Sequence, residues 1–93
     1  MQQKEKALYE AVIQQKGAKH QIAVALGELN ELAAELAKVF RENEDNNHIC
    51  DEIADVDIVL NQLKLIFDKD KIKMYKDFKL RRLELVYIKE GKA

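Results

Sequence analysis

Residues His48 to Phe67 read HICDEIADVDIVLNQLKLIF, and the fold follows from how that stretch is read. Ile49, Ile53, Val56, Leu60, Leu63 and Phe67 step by 4-3-4-3-4, a spacing that returns side chains to one face of an α-helix. No glycine or proline interrupts the run, and Asn46 or Asn47 stands ready to cap its start. Before it, a second helix is expected over Lys19–Glu42, where Ile22, Ala25, Leu29, Leu32, Leu36 and Phe40 recur in steps of three and four. Before that, Leu8, Tyr9, Val12 and Ile13 share one face of a shorter helix over Gln3–Lys16, with Gly17 as its C-cap. After Phe67 the run Asp68-Lys69-Asp70 breaks the chain, and a fourth helix follows from Lys69 or Asp70 to Lys89, ending near Gly91. It carries Ile72, Tyr75, Phe78, Leu83, Val86 and Tyr87 in a less regular stripe.

Composition agrees with an all-α chain. Among 93 residues 47% are apolar and 35% charged, with three tyrosines, three phenylalanines, three glycines and no proline. That is too apolar for disorder and too poor in turn formers for a many-stranded sheet. Ninety-three residues hold one domain, so residues 1–93 are expected to form a single small antiparallel helical bundle. Sixteen Lys and Arg against seventeen Asp and Glu leave a net charge of -1, which provides no global field to recruit a nucleic acid polymer or an anionic membrane. Cys50 has no second cysteine to pair with, the start MQQKEKALYE has no apolar signal core, and the longest clean apolar run is Ile22 to Leu26. The expectation is a soluble, cytoplasmic protein.

The acids are harder to place on stability grounds alone. Glu28, Glu31 and Glu35 fall within roughly 60° of one another on the flank of the second helix's apolar stripe, at ~100° per residue. Glu52 and Asp55 lie inside an apolar face, bordered by Val56 and Leu63 on one side and by Val59 and Ile66 on the other. Like charges at these spacings disfavour a helix, and partial burial adds a further cost unless something cationic compensates. If the second and third helices pack antiparallel, the Glu28/Glu31 and Glu52/Asp55 pairs meet as an all-oxygen site, which suits a hard cation, Mg²⁺ or Mn²⁺. A ferritin-like di-iron site would need Glu-x-x-His on two helices, and neither His20 nor His48 has a glutamate three residues before it.

Four stretches then carry a resemblance: Gly17-Ala-Lys-His-Gln21, Glu28-Leu-Asn-Glu31-Leu32, Asp51-Glu52-Ile-Ala-Asp55-Val56, and the Lys-Leu-x-Arg-Leu run from Lys79 to Leu83. Together they resemble the MazG-like nucleoside triphosphate pyrophosphohydrolases, whose pattern is Glu-Glu-x-x-Glu, a spacer, then Glu-x-x-Asp. The resemblance spans nearly the whole chain. It implies that Glu28, Glu31, Glu52 and Asp55 bind Mg²⁺, that Glu28 or Glu31 also orients or deprotonates the attacking water, and that a nucleoside triphosphate is cleaved to monophosphate and pyrophosphate. The implied role is cleaning of the nucleotide pool. Gly27 departs from the pattern, standing where the first glutamate of the pair usually falls. The alternative is therefore a catalytically weakened module of the same fold that binds a nucleotide or a protein partner without turnover.

Lys79 and Arg82 are expected to neutralise triphosphate oxygens, Arg by bidentate contacts, and Gln21 to read base or sugar through its amide. His20, His48 and Cys50 have ordinary readings as capping, surface or small semi-buried side chains. Ile58, Val59 and Ile66 lie beyond the third helix's main stripe, and Leu80, Leu83, Leu85, Val86, Tyr87 and Ile88 surround most of the fourth. A helix apolar nearly all round must be covered on both sides, so a homo-oligomer is expected. The resemblance implies a homodimer or a homotetramer.

Overall fold

A one-residue turn at Gly17 sets the first corner of the chain. Its φ of 94° is open to glycine alone among common residues; its N–H donates to the Ile13 carbonyl at 2.8 Å, and its own carbonyl accepts from Gln21 N–H at 3.1 Å. The computed structural model describes residues 1–42 and 47–90, which form helices α1 (Gln3–Lys16), α2 (Ala18–Glu42), α3 (Asn47–Ile66) and α4 (Lys69–Glu84). A π-helical stretch, Leu85–Glu90, continues α4. No strand occurs among the described residues. The expected all-helical fold is thus present, with the boundaries of α1, α2 and α3 within one residue of those read from the sequence. Asn47 is already helical, and the Asn46 cap and the Gly91 terminator lie outside the described residues. Asp68 begins α4: its Oδ1 accepts from the N–H groups of Asp70 and Lys71, each at 3.1 Å.

The α2–α3 hairpin is the main packing unit. Gln21 near the start of α2 bonds Gln62 near the end of α3, while Glu28 and Glu31 approach Glu52, so the two helices run antiparallel. Helix α1 lies against both. Tyr9 is its buried anchor; the Tyr9 hydroxyl donates to Glu5 Oε1 at 2.7 Å, and Asn61 Nδ2 on α3 donates to the same oxygen at 3.4 Å. Helix α4 packs lightly on α3, with Ile72 its only half-buried side chain among the described residues.

The covered faces differ from the stripes expected. On α2 the less exposed positions include Gln21, Ala25, Glu28, Leu32, Glu35 and Val39, along with Ile22 and Val24, and on α3 they include Glu52, Asp55, Val56, Val59, Gln62 and Leu63. The more regular apolar positions Leu29, Leu36, Ile53, Leu60 and Phe67 stay exposed, and Phe40 is 95% exposed. Both helices are rotated so that acids and amides enter the seam and part of each apolar stripe faces outward. Only Tyr9, Ala25, Val56 and Val59 are buried apolar residues among those described.

The outline reflects this. The Cα radius of gyration is 16.6 Å, with extents of 52 × 38 × 22 Å. A compact chain of this length would have a radius of about 12 Å. The accessible surface is 7686 Å². A folded monomer of this mass is expected to expose roughly 5,500 Å².

With so small a core, each buried methyl counts. Val59→Ala is expected to cost about 2 kcal/mol of unfolding free energy, and Asp68→Ala about 1 kcal/mol through loss of the α4 cap, both read from urea denaturation midpoints.

Candidate metal centre

Antiparallel packing puts rungs of side chains across the α2–α3 seam. Gln21 faces Gln62, Val24 faces Val59, Glu28 faces Asp55 and Glu31 faces Glu52, every pair of residue numbers summing to the same value. One carboxylate oxygen from each of Glu28, Glu31 and Glu52 lies within 4.8 Å of the other two. Glu28 and Glu52 are drawn into the seam, while Glu31 sits at its open edge. The Oε2 atoms of Glu28 and Glu52 are sealed from solvent and have no hydrogen-bond partner among the described residues. A buried carboxylate oxygen normally finds a donor, so two orphaned ones facing a third acid form a negative pocket to which no described side chain donates a hydrogen bond.

The electrostatics agree with the geometry. Burial pushes the Glu28 carboxyl above its usual value of 4.5, and the charges of Glu31, Asp55 and Asp51 push it further. Glu52 is raised by burial first, then by Glu31, Asp55 and Glu28, with His48 opposing. Asp55 is half-buried and acts on both glutamates, but stands outside the tight trio. Glu35, also near the seam, differs because Lys38 Nζ donates to its Oε1 at 3.2 Å. The donor set of the trio is entirely oxygen, and its orphaned atoms fit a hard divalent cation.

No protein-family model, curated protein or solved structure gives a significant match to the chain.

Of the residues singled out in the sequence, Glu28, Glu31, Glu52 and Asp55 come together. Gln21 joins them along the seam, two helical turns from Glu28 and 5% exposed; its Nε2 donates to Gln62 Oε1 at 2.8 Å, and its Oε1 pairs with His20 Nδ1 at 2.9 Å. Lys79 and Arg82 are exposed on α4, which touches α3 and not α2 among the described residues, and they are not brought to the carboxylates within one chain. Gln62 was not expected. The available signal was symmetry: a glutamine stands seven residues before Glu28 on one helix and another stands seven after Asp55 on its antiparallel neighbour. No helix among the described residues is long and apolar enough to cross a membrane.

The folded state holds Glu28 and Glu52 at raised values, so between those values and the usual 4.5 the native chain binds more protons than the unfolded chain. The destabilisation they cause is complete above the raised values, shrinks as pH falls through them, and is gone below 4.5. Without divalent cations, Glu52→Gln is expected to raise the melting temperature at neutral pH and to flatten the gain in stability seen on lowering the pH toward 5. Thermal melts across that range check it, and a lower melting temperature in the variant would make Glu52 a stabilising residue instead.

Proposed function

We propose that this chain is a Mg²⁺-dependent nucleoside triphosphate pyrophosphohydrolase of the MazG-like kind, with Mn²⁺ as a possible substitute. It acts in the cytoplasm on the nucleotide pool, converting a (deoxy)nucleoside triphosphate to the monophosphate and pyrophosphate. The observation that carries the reading is the pair of sealed, unpartnered oxygens of Glu28 and Glu52 converging with Glu31. In this reading Glu28, Glu31, Glu52 and Asp55 hold the cation, which supplies charge neutralisation at phosphoryl oxygens and a more acidic bound water. Glu28 and Glu31 are the catalytic carboxylates, one of them orienting the attacking water and accepting its proton. The water oxygen bonds to the α-phosphorus, the bond from that phosphorus to the bridging oxygen breaks, and pyrophosphate leaves with the electron pair.

The reading includes association. The chain exposes roughly 2,000 Å² more than a compact monomer of its mass, and two copies closing that excess would bury roughly 4,000 Å², within the range of obligate homodimers. The face to be covered carries Leu29, Leu36, Ile53, Leu60, Phe67 and Phe78, all exposed in the single chain. We take the assembly to be a homodimer or a pair of such dimers. Lys79 and Arg82 then meet the triphosphate from a second copy, because α4 of the same chain packs on α3 alone among the described helices.

Gly27 bears on rate rather than fold. A Cβ built there meets nothing within 4 Å, so the space for a larger side chain exists and no packing demand explains the glycine.

A screen of canonical and damaged dNTPs and NTPs with Mg²⁺, scored for pyrophosphate, is expected to find turnover. Glu52→Gln and Asp55→Asn should reduce that turnover at least a hundredfold. Near wild-type turnover in both variants would remove the metal assignment, and triphosphate binding without pyrophosphate release would leave a binding module of the same fold. Light scattering at micromolar concentration is expected to give at least twice the 10.8 kDa chain mass. A monomer mass that persists as concentration rises would overturn the association.

A further inference from the structure

We propose that Gln62, held in place by Gln21, is a specificity-determining residue that donates a hydrogen bond to a carbonyl oxygen on the base of the substrate. The inference rests on the nucleotide reading above and assigns the end of the seam remote from the acids. A cavity of about 190 Å³ runs along that seam, lined by Glu28 and Asp55 at one end and by Gln21 and Gln62 at the other. Val24, Ile58 and Val59 lie between them.

Both amides are more than nine-tenths buried, at 5% and 6% exposure. Buried amides are held by complete hydrogen bonding unless a ligand finishes the set. Here the set is incomplete in a defined direction. Gln21 Nε2 donates to Gln62 Oε1, and His20 Nδ1 faces Gln21 Oε1, so both amide oxygens are engaged. Gln62 Nε2 has no partner among the described residues, yet it is absent from the atoms sealed without a partner, which are Glu28 Oε2 and Glu52 Oε2. Its N–H groups are therefore not sealed from solvent, and Gln62 lines the cavity.

Spacing supplies the orientation of the ligand. Seven residues separate Gln21 from Glu28 and Asp55 from Gln62, about 10 Å of helix, which a sugar and a base can span. Phosphates at the acids thus place the sugar against the aliphatic middle and the base edge at Gln62. A donor-only end favours bases that carry a carbonyl oxygen: uracil, thymine, cytosine and guanine have one, and adenine has none.

The test is calorimetric, with Mg²⁺ present and non-hydrolysable α,β-methylene triphosphates of uridine, cytidine, guanosine and adenosine as probes, and inorganic tripolyphosphate as the base-free control. The wild type is expected to bind at least one carbonyl-bearing analogue about tenfold more tightly than the adenosine analogue. Gln62→Met should bring that ratio near one and leave tripolyphosphate affinity unchanged. Gln62→Glu guards against a folding defect, because its carboxylate can still accept from Gln21 while replacing the free N–H groups by oxygen; it should also abolish the preference. A wild-type preference for adenine, no base preference at all, or a ratio that both variants preserve would overturn the role of Gln62 while leaving the metal centre standing. A wild type that binds neither the analogues nor tripolyphosphate would overturn both readings together.

Discussion

Four carboxylates crowded into one helix–helix seam constrain the rest of this molecule. Placing Glu28, Glu31, Glu52 and Asp55 between α2 and α3 removes those positions from the hydrophobic core and leaves two sealed oxygens with no donor among the described residues. The remaining core must be small, and it is: three small aliphatic side chains and one tyrosine are its buried apolar members among the described residues. The apolar residues displaced from the seam do not disappear. They stand on the outer faces of α2, α3 and α4, which is why the chain is flat and exposes more surface than its mass requires. The acids in the seam and the exposed apolar positions of α2 and α3 are thus two results of one rotation of the hairpin.

Much of this was legible in the sequence, and the part that was not has a physical cause. Helix ends were readable because Gly17 and the Asp68-Lys69-Asp70 run act locally, through φ and through side-chain caps, without reference to the rest of the fold. The acids at Glu52 and Asp55 were readable because apolar neighbours flank them on both sides. The buried face was not readable from periodicity. Ile49, Ile53, Val56, Leu60, Leu63 and Phe67 do form a regular stripe, but regularity shows only that some face will be covered, not which neighbour covers it. The seam of α2 also keeps a 4-3-4-3-4 spacing through Gln21, Ala25, Glu28, Leu32, Glu35 and Val39, and half of those residues are polar, so a hydrophobic pattern passes over it. Gln62 was missed for the same reason. A glutamine is ordinarily a surface residue, and only its partner across the hairpin marks it as interior.

The near-neutral net charge conceals a separation that the fold makes plain. Between Lys69 and Glu84, α4 carries seven basic residues against three acids, while the α2–α3 seam gathers acids. Of the seven basic residues in α4 only Lys73 is paired among the described side chains, to Asp77 at 2.7 Å, and both partners are exposed, so the pair contributes little to stability. These cations do not reach the seam of their own chain. At the ~8 Å screening length of physiological salt, charges held on separate elements and exposed to water hardly compensate one another.

That separation limits how a triphosphate could be accommodated. A ligand with several negative charges cannot approach an uncompensated trio of glutamates, since each added anion raises the cost that burial already imposes on Glu28 and Glu52. Under the proposed function, compensation comes from outside the chain's own seam, from two sources: a divalent cation among the carboxylates, and basic side chains carried by a second copy's α4. In that reading the first would balance the acids, and the second would balance phosphate charge. Neither does the other's work, because an arginine on the carboxylates would form a closed ion pair and shut the site, whereas a cation on the outer phosphates would have no protein ligands to hold it. Under the proposed function, a division of charge between the seam and a second copy's helix is the arrangement in which this small core, its exposed apolar faces and its displaced bases would serve one site.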